Sequence, residues 1–363
     1  MRPILILGGY GNFGKRIARA LTSDGIPVII AGRSPKKAED LSRELPASLT
    51  KIAIFDAFLD LDVHLEKLKP SVVINTCGPF QSSDYSIAQT CIRHATHYVD
   101  LADGRDFVVS IATLDEQAKA KGVSVISGAS TVPGLSSAVL EHYKHEFHEI
   151  DEMKYGISPG QKAERGLATT QGILSYVGKP LKPFLGHGRA AYGWQGIYRQ
   201  NYPQLGNRWM ANCDIPDLDL LPEHYGIKAI RFSAGLELGA LHLGLWGLSW
   251  LVRVGVPLNL PRLAKPLLLA SNWFDVLGSA DGGMHIILTG KDHDGKPHSR
   301  KWFIVAKDGD GPEIPTIPAI ILAKDLATGA PVQIGAQPCM GIIDLGRYLD
   351  KLEKFSIESY EGS

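Results

Sequence analysis

Met1-Arg2-Pro3-Ile4-Leu5-Ile6-Leu7-Gly8-Gly9-Tyr10-Gly11-Asn12-Phe13-Gly14 is the stretch that decides the fold. Ile4 to Leu7 is a short continuous apolar run, the pattern of a parallel strand buried on both faces. A turn spelling Gly9-x-Gly11-x-x-Gly14 follows, and Lys15, Arg16, Ile17, Ala18, Ala20 and Leu21 then fall at helical spacing. Strand, glycine turn and helix in that order are what a dinucleotide diphosphate requires. Gly9 permits the tight turn, Gly11 removes a side chain that would block the phosphates, and Gly14 lets helix and strand pack closely. The positive end of the helix then faces the phosphate charge. Gly8, Gly9, Tyr10, Gly11, Asn12, Phe13 and Gly14 are therefore the predicted diphosphate cradle. The alternative is a purely structural glycine turn.

The next strand, Pro27 to Ala31, bears on which nucleotide. A site selective for NAD carries an Asp or Glu roughly 20 residues beyond the glycines, on the ribose 2′-hydroxyl. Here the residues are Ala31-Gly32-Arg33-Ser34, with Lys36 and Lys37 beyond. An arginine in place of an acid suits a 2′-phosphate through a charge-assisted contact. Arg33 and Ser34 are thus expected to select NADP over NAD, the alternative being a solvated basic helix start.

A chain of 363 residues exceeds the usual single domain, so two domains are expected. Its 38 Lys and Arg balance 38 Asp and Glu, and with no basic stripe or aromatic platform nucleic acid is not an expected partner. The opening strand is expected to leave no cleavable signal peptide before it. Cys77, Cys91, Cys213 and Cys339 are scattered without metal-ligand spacing, so no metal site and a reduced, cytoplasmic protein are expected.

Within the first domain, Pro35 to Leu45 reads as a helix and Leu49 to Phe55 as a third strand. Asp56 then sits where it could hold the adenine amine, or cap a helix starting near Phe58. Ser71 to Asn75 is a fourth strand, followed by Cys77, Gly78, Pro79 and Phe80 outside its carboxyl end, where open α/β sheets bind ligands. A helix over about Asp84 to His94, a strand Tyr98 to Asp100 and a strand Val123 to Ile126 complete a Rossmann doubly wound parallel sheet over residues 1–134.

Four segments together resemble the saccharopine dehydrogenase-like oxidoreductases, including the branch related to trans-acting enoyl reductases. They are the glycine motif, Asn75-Thr-Cys-Gly-Pro-Phe80, Ala88-Gln-Thr-Cys-Ile-Arg-His-Ala-Thr-His-Tyr-Val-Asp100 and Gly128-Ala-Ser-Thr-Val-Pro-Gly134. The resemblance is specific over residues 1–140 and looser beyond. It implies an NADP-binding Rossmann domain and a second α+β domain, residues 135–335, carrying substrate and homodimer surfaces. It also implies a closing segment, residues 336–363, that returns to the first domain. Where the related branch more often has Gly-Glu, this chain has Gly104-Arg105, which leaves the substrate open.

Three loops should meet near the nicotinamide: Cys77 to Phe80, Tyr98 to Arg105, and Gly128 to Gly134. Cys77, Gly78 and Pro79 would wall the cofactor, and Phe80 would face substrate. Asp103, Asp100 and Tyr98 are the candidate acid–base residues. Asp103 leads because it lies past the strand end; Asp100 equally suits a loop brace, and His97 a structural histidine. Cys77 has no activating neighbour in sequence and is not a candidate nucleophile. Thr131 and Pro133 read as the start of a helix running to about Phe147.

Beyond Ile150, strand-like stretches at Glu152 to Ile157, Ala229 to Leu236, Met284 to Thr289 and Lys301 to Ala306 suggest a largely antiparallel sheet with helices, one near Gly166 to Val177. Arg165, Arg189, Arg199, Arg208 and Arg231 could meet a substrate carboxylate, and Arg165 with Trp194 is the pair singled out. Leu241 to Leu260 is apolar enough to consider a bilayer, yet Arg253, His242, Asn259, Pro257 and three glycines weaken a span. A buried or dimer-interface helix is the first reading, an apolar substrate channel the second and peripheral membrane contact the third. Pro312 to Ala327 and Asp344 to Phe355 read as the last helices, the final one docking on the first domain. The function expected is NADP-dependent hydride transfer to or from a small-molecule C=N, C=O or activated C=C bond. The alternative is a non-catalytic NADP-binding sensor.

Overall fold

A computed structural model of the chain describes residues 1–188 and 190–362. Two compact units emerge: Met1–Leu135 with Glu313–Ile343, and Ser136–Pro312 with Asp344–Ser363.

The first unit begins with β1 (Ile4–Leu7), β2 (Val28–Gly32), β3 (Thr50–Ile54), β4 (Val72–Asn75), β5 (His97–Asp100) and β6 (Ser124–Ser127). Every pairing is parallel: β1 lies between β2 and β4, with β3 beyond β2, and β5 and β6 beyond β4. All four residues of β1 and of β4 are buried, which is why those strands read as unbroken apolar runs. Leu5 and Leu7 join a cluster with Val73, Ala88 and Cys91. Edge strand β3, by contrast, exposes Lys51, Ile52 and Ile54. Strand order reverses between β1 and β4, so the loops leaving their carboxyl ends flank a topological switch point.

Local chemistry sets the helix boundaries. Ser34 caps Pro35–Arg43, its hydroxyl accepting from Lys37 N at 3.5 Å, with Pro35 in the first turn where its missing N–H costs nothing. The helix after β3 runs Leu61–Leu68 with Asp60 before it, not from near Phe58. Asp56 instead makes a local turn, its Oδ1 accepting from Phe58 N at 3.0 Å. Past β6 the expected continuous helix to Phe147 is broken. Thr131–Leu135 forms one wide turn in which Val132 is extended, as a residue before proline tends to be, and the regular helix is Ser136–Tyr143. Thr131 and Pro133 therefore precede that helix rather than start it.

The second unit contains β7 (Glu149–Ser158), β8 (Tyr198–Tyr202), β9 (Gly206–Asn212), β10 (Ala229–Ala234), β11 (Gly282–Lys291) and β12 (Pro297–Ala306). β11 and β12 form a ten-pair antiparallel hairpin, and Asp292 Oδ1 organises its turn by accepting from Asp294 N at 2.9 Å and Lys296 N at 2.8 Å. Among the described residues only β7 with β10 is parallel in this sheet. Tyr155 and Phe232 pack edge to face at 5.0 Å across that pair.

Near the end of the chain β13 (Gly335–Pro338) and β14 (Ile357–Gly362) part company. β13 pairs with β6, giving the first sheet the order β13-β6-β5-β4-β1-β2-β3. β14 pairs with β12, giving the second the order β14-β12-β11-β7-β10-β9-β8. The return to the first unit thus spans residues 313–343, not 336–363. The last helix is only Leu345–Asp350, and it belongs to the second unit.

Candidate functional site

The glycine turn shows, position by position, why it takes no side chains. Gly8 has φ +72°, and a Cβ there would lie 2.6 Å from Thr76 Oγ1 and 3.2 Å from Cys77 Sγ. At Gly14 a Cβ would stand 2.3 Å from the Gly8 carbonyl oxygen, so the helix Asn12–Ser23 is seated directly on the turn. Gly11 differs: its Cβ would meet only the Gly8 oxygen, at 3.0 Å, and otherwise face open space. At that position the room beside the backbone is not taken up by packing. No side-chain hydrogen bond caps this helix and no acid lies in its first turn, an arrangement that suits an anion there.

Around the turn, the predicted residues take distinct places. Tyr10 folds back over the end of β2, its hydroxyl accepting from Ser34 N at 2.8 Å. A Cβ on Gly32 would lie 2.6 Å from the Tyr10 ring, so Gly32 belongs to the site although its spacing gave no sign of it. Asn12 Oδ1 accepts from the guanidinium of Arg16, whose Nε lies 3.0 Å from Glu313 Oε1; Phe13 is half-buried. Arg33 is 81% exposed and lies 3.7 Å from Asp56 Oδ2, a surface pair of the kind worth little. Asp56, engaged with Phe58 and Arg33, is neither a helix cap nor a free adenine partner.

The loop after β4 is tied to the glycine turn and to β5. Thr76 Oγ1 donates to Leu7 O at 2.8 Å, Asn75 Oδ1 accepts from Cys77 N at 2.9 Å, and Asn75 Nδ2 donates to Tyr98 Oη at 3.1 Å. Gly78–Pro79 is cis. Burial pushes the Cys77 thiol up to about 11, so the thiolate population near neutrality is negligible. Alkylation with iodoacetamide at neutral pH should accordingly be much slower at Cys77 than at a free thiol. Peptide mass spectrometry over time checks this, and rapid modification would contradict the burial argument.

Asp100 is fully buried and holds two loops together. Its Oδ1 accepts from Ala102 N at 2.9 Å, Ser127 Oγ at 2.9 Å and Gly128 N at 2.8 Å. Burial raises its carboxyl to about 6, and those donors hold it from rising further. Tyr98 is buried in the sheet, and burial lifts its hydroxyl well above the usual phenol range. Both were candidate acid–base residues, and the geometry makes both of them braces. His97 is likewise structural, its Nδ1 accepting from Ser124 N at 3.0 Å. Asp103 lies half-buried past the strand, its Oδ1 accepting from Gln81 Nε2 at 3.0 Å, and burial raises its carboxyl. Of the three, Asp103 alone retains solvent access. Phe80 is buried against Phe107, ring centres 5.4 Å apart, which corrects its expected place facing substrate. A Cβ on Gly104 would come within 3.1 Å of the Phe80 carbonyl oxygen, so these two loops are in backbone contact.

This geometry has counterparts among known proteins. Residues 4–126 match the family model of the saccharopine dehydrogenase NADP binding domain. Over that segment the chain is similar to the nucleotide-binding domain of saccharopine dehydrogenases. The apo saccharopine dehydrogenase (L-Glu forming) of Saccharomyces cerevisiae superposes with a TM-score of 0.71 over 100% of both chains at 14% identity, a likeness of fold. A glycerol-3-phosphate dehydrogenase [NAD(P)+] of Pseudomonas putida (strain GB-1) is 29% identical over 147 residues, 39% of this chain and 42% of that enzyme. The chain thus spans less than half the length of the curated relatives it matches. The matched segment contains every predicted site residue of the first unit.

Outside it, the second unit's candidates are engaged by their own surroundings. Arg165 donates to Asp275 Oδ1 at 2.9 Å, Ser271 Oγ at 3.1 Å and Asn272 Oδ1 at 3.0 Å. Trp194 is buried in a core cluster with Leu174, Val177 and Ala264, its ring 5.5 Å from that of His242. Neither is placed as a substrate contact, which corrects both expectations. Arg199 stacks over Trp209, Arg208 pairs with Glu237 at 3.4 Å, and Arg231 donates to Asn212 Oδ1 at 2.9 Å while stacking over Tyr198. Arg189 lies outside the described residues.

Proposed function

We propose that the chain is an NADP-dependent oxidoreductase transferring hydride to or from a small-molecule C=N, C=O or activated C=C bond. The single observation that carries the cofactor half is Gly11. Its missing side chain leaves the uncapped first turn of Asn12–Ser23 open, while Gly8 and Gly14 are held by contact with the protein itself. Gly9 to Gly14 would hold the diphosphate, and Cys77, Gly78 and Pro79 would wall the nicotinamide end. Arg33, with Ser34 and the exposed Lys36 and Lys37, would hold the 2′-phosphate; no acid lies in the first turn of Pro35–Arg43 to repel it. That phosphate would have to displace the weak Arg33–Asp56 pair. When bound, the nicotinamide supplies the hydride. Asp103 would exchange the accompanying proton through its carboxyl, which is raised by burial toward the working range and steadied by Gln81.

Fluorescence titration of the whole chain with NADPH and NADH tests the specificity. Wild type should prefer NADPH, and Arg33→Asp should cut that preference by about tenfold or more. Equal wild-type affinities would defeat the assignment. Turnover should then be screened on imines, ketones and enoyl compounds with Asp103→Asn alongside, which should lower kcat by about a hundredfold. Tight NADPH binding without turnover on any of them would favour the sensor instead.

A further inference from the structure

The apolar stretch around residues 241–260 does not form a twenty-residue helix. Its helix is Gly239–Arg253, closed by Val254 and by Gly255 at φ +94°, and a second helix follows at Ala264–Asn272. Among the described residues no helix is long and apolar enough to cross a membrane. One side of the first helix is accounted for: Leu245, Trp246 and Val252 pack on the cluster around Trp194, and His242 is buried there. The second helix and the residues past it carry further exposed apolar side chains. Val254 is 71% exposed, Leu269 56%, Trp273 82%, Val276 84% and Leu277 70%. Single exposed apolar residues are ordinary; a run of this size, with tryptophans at 250 and 273, is not.

The charges on the same segment are mostly of one sign. Between residues 239 and 277 the ionised residues are Arg253, Arg262, Lys265 and Asp275, and Asp275 is engaged by Arg165 at 2.9 Å. All three cations are exposed. A second copy of the chain docking by this face would set these three cations against the same three cations, with Asp275, already engaged by Arg165, as the one acid of the segment. An anionic lipid surface supplies what the face lacks: apolar depth for Leu, Val and Trp, an interfacial layer suited to indole, and negative headgroups for Arg and Lys.

We propose that the face formed by residues 250–277 of the second unit seats this protein peripherally on an anionic bilayer surface. It lies on the membrane without crossing it, with Trp273, Val276 and Leu277 entering the headgroup region and Arg262 and Lys265 pairing with lipid phosphates. The proposal rests on the second unit alone and stands or falls independently of the oxidoreductase assignment.

Vesicle flotation of the full chain tests it, using phosphatidylcholine vesicles with and without phosphatidylglycerol, at low and high salt. The wild type should float with the anionic vesicles at low salt, at least about tenfold more than with neutral ones, and lose most of that at high salt. Trp273→Ser with Leu277→Ser, and separately Arg262→Glu with Lys265→Glu, should each reduce flotation about tenfold or more while NADPH binding stays unchanged. All four positions are exposed, so folding should be retained. Failure to float with anionic vesicles, or flotation indifferent to both variants, would overturn the proposal. So would a dimer in light scattering that the Trp273 and Leu277 substitutions dissociate.

Discussion

Gly11→Val is expected to weaken NADPH binding by at least about a hundredfold while moving the thermal midpoint by only a few degrees. Beyond its chain neighbours the added Cβ meets a single atom, the Gly8 carbonyl oxygen at 3.0 Å, and no other within 4 Å at the start of Asn12–Ser23. Its cost in the free protein is therefore small, and its cost to a diphosphate lying along that turn is large. Gly14→Val is the informative partner. There the new Cβ would sit 2.3 Å from the Gly8 oxygen and 2.8 Å from Gly9 Cα, both backbone atoms of the same tight turn. Helix and strand would have to separate, which costs beyond about 3 kcal/mol and should unfold the first unit or leave it loosely packed. Circular dichroism melts beside nucleotide titration distinguish the two. Equal loss of stability in both variants would mean that Gly11 is a packing glycine and that the ligand argument fails.

Asp100 carries the second large effect. Asp100→Ala leaves the amides of Ala102 and Gly128 and the hydroxyl of Ser127 without their acceptor in a fully buried place. Each orphaned donor costs about 1–3 kcal/mol. Removing the buried charge returns part of this: a carboxyl raised from an ordinary value near 4 to about 6 carries about 3 kcal/mol of unfavourable ionisation at neutral pH. The net expectation is a loss of about 3 kcal/mol, or on the order of 10 °C in the melting of this unit. Asp100→Asn keeps an acceptor for the three donors and should be nearly neutral at pH 7. The pH dependence has a definite sign. Because the folded value lies above the unfolded one, the native state binds the proton more tightly between about pH 4 and 6. Stability from this group is thus fully present below about pH 4 and lost as pH rises through 6. Wild type should therefore gain about 3 kcal/mol relative to Asp100→Asn on going from pH 7 to pH 4. Chemical denaturation at several pH values measures the difference, and a gap independent of pH would show that the buried carboxyl is not raised.

These two residues also mark how far the sequence could be read. Gly11 and Gly14 were legible because their requirement is local: strand, turn and helix are contiguous, and the missing side chains occur at fixed spacing. Asp100 was visible as an acid beyond a strand, but its role depends on Ser127 and Gly128, which reach it only through the pairing of β5 with β6. Tyr98 and Phe80 misled for a related reason. Both sit beside the expected mouth in sequence, yet one belongs to the strand interior and the other to a ring cluster with Phe107. Gly32 gave no signal because the group that needs it, the ring of Tyr10, comes from the preceding loop.

In the second unit the long hydrophobic strands were evident, while Tyr198–Tyr202 and Gly206–Asn212 alternate too weakly between polar and apolar residues to stand out. Gly335–Pro338 is a strand by position, completing the edge beside β6, with no β-branched residue to announce it. Arg165 and Trp194 illustrate the limit of residue type as a guide. An arginine suited to a carboxylate found one in Asp275, and a tryptophan suited to a pocket became core.

The most direct measurement is a crystal structure of the full chain soaked with NADPH. The diphosphate should lie along Gly9 to Gly14 with its 2′-phosphate beside Arg33 and Ser34. A nucleotide bound elsewhere, or a turn closed to it by the Tyr10 side chain, would contradict the account.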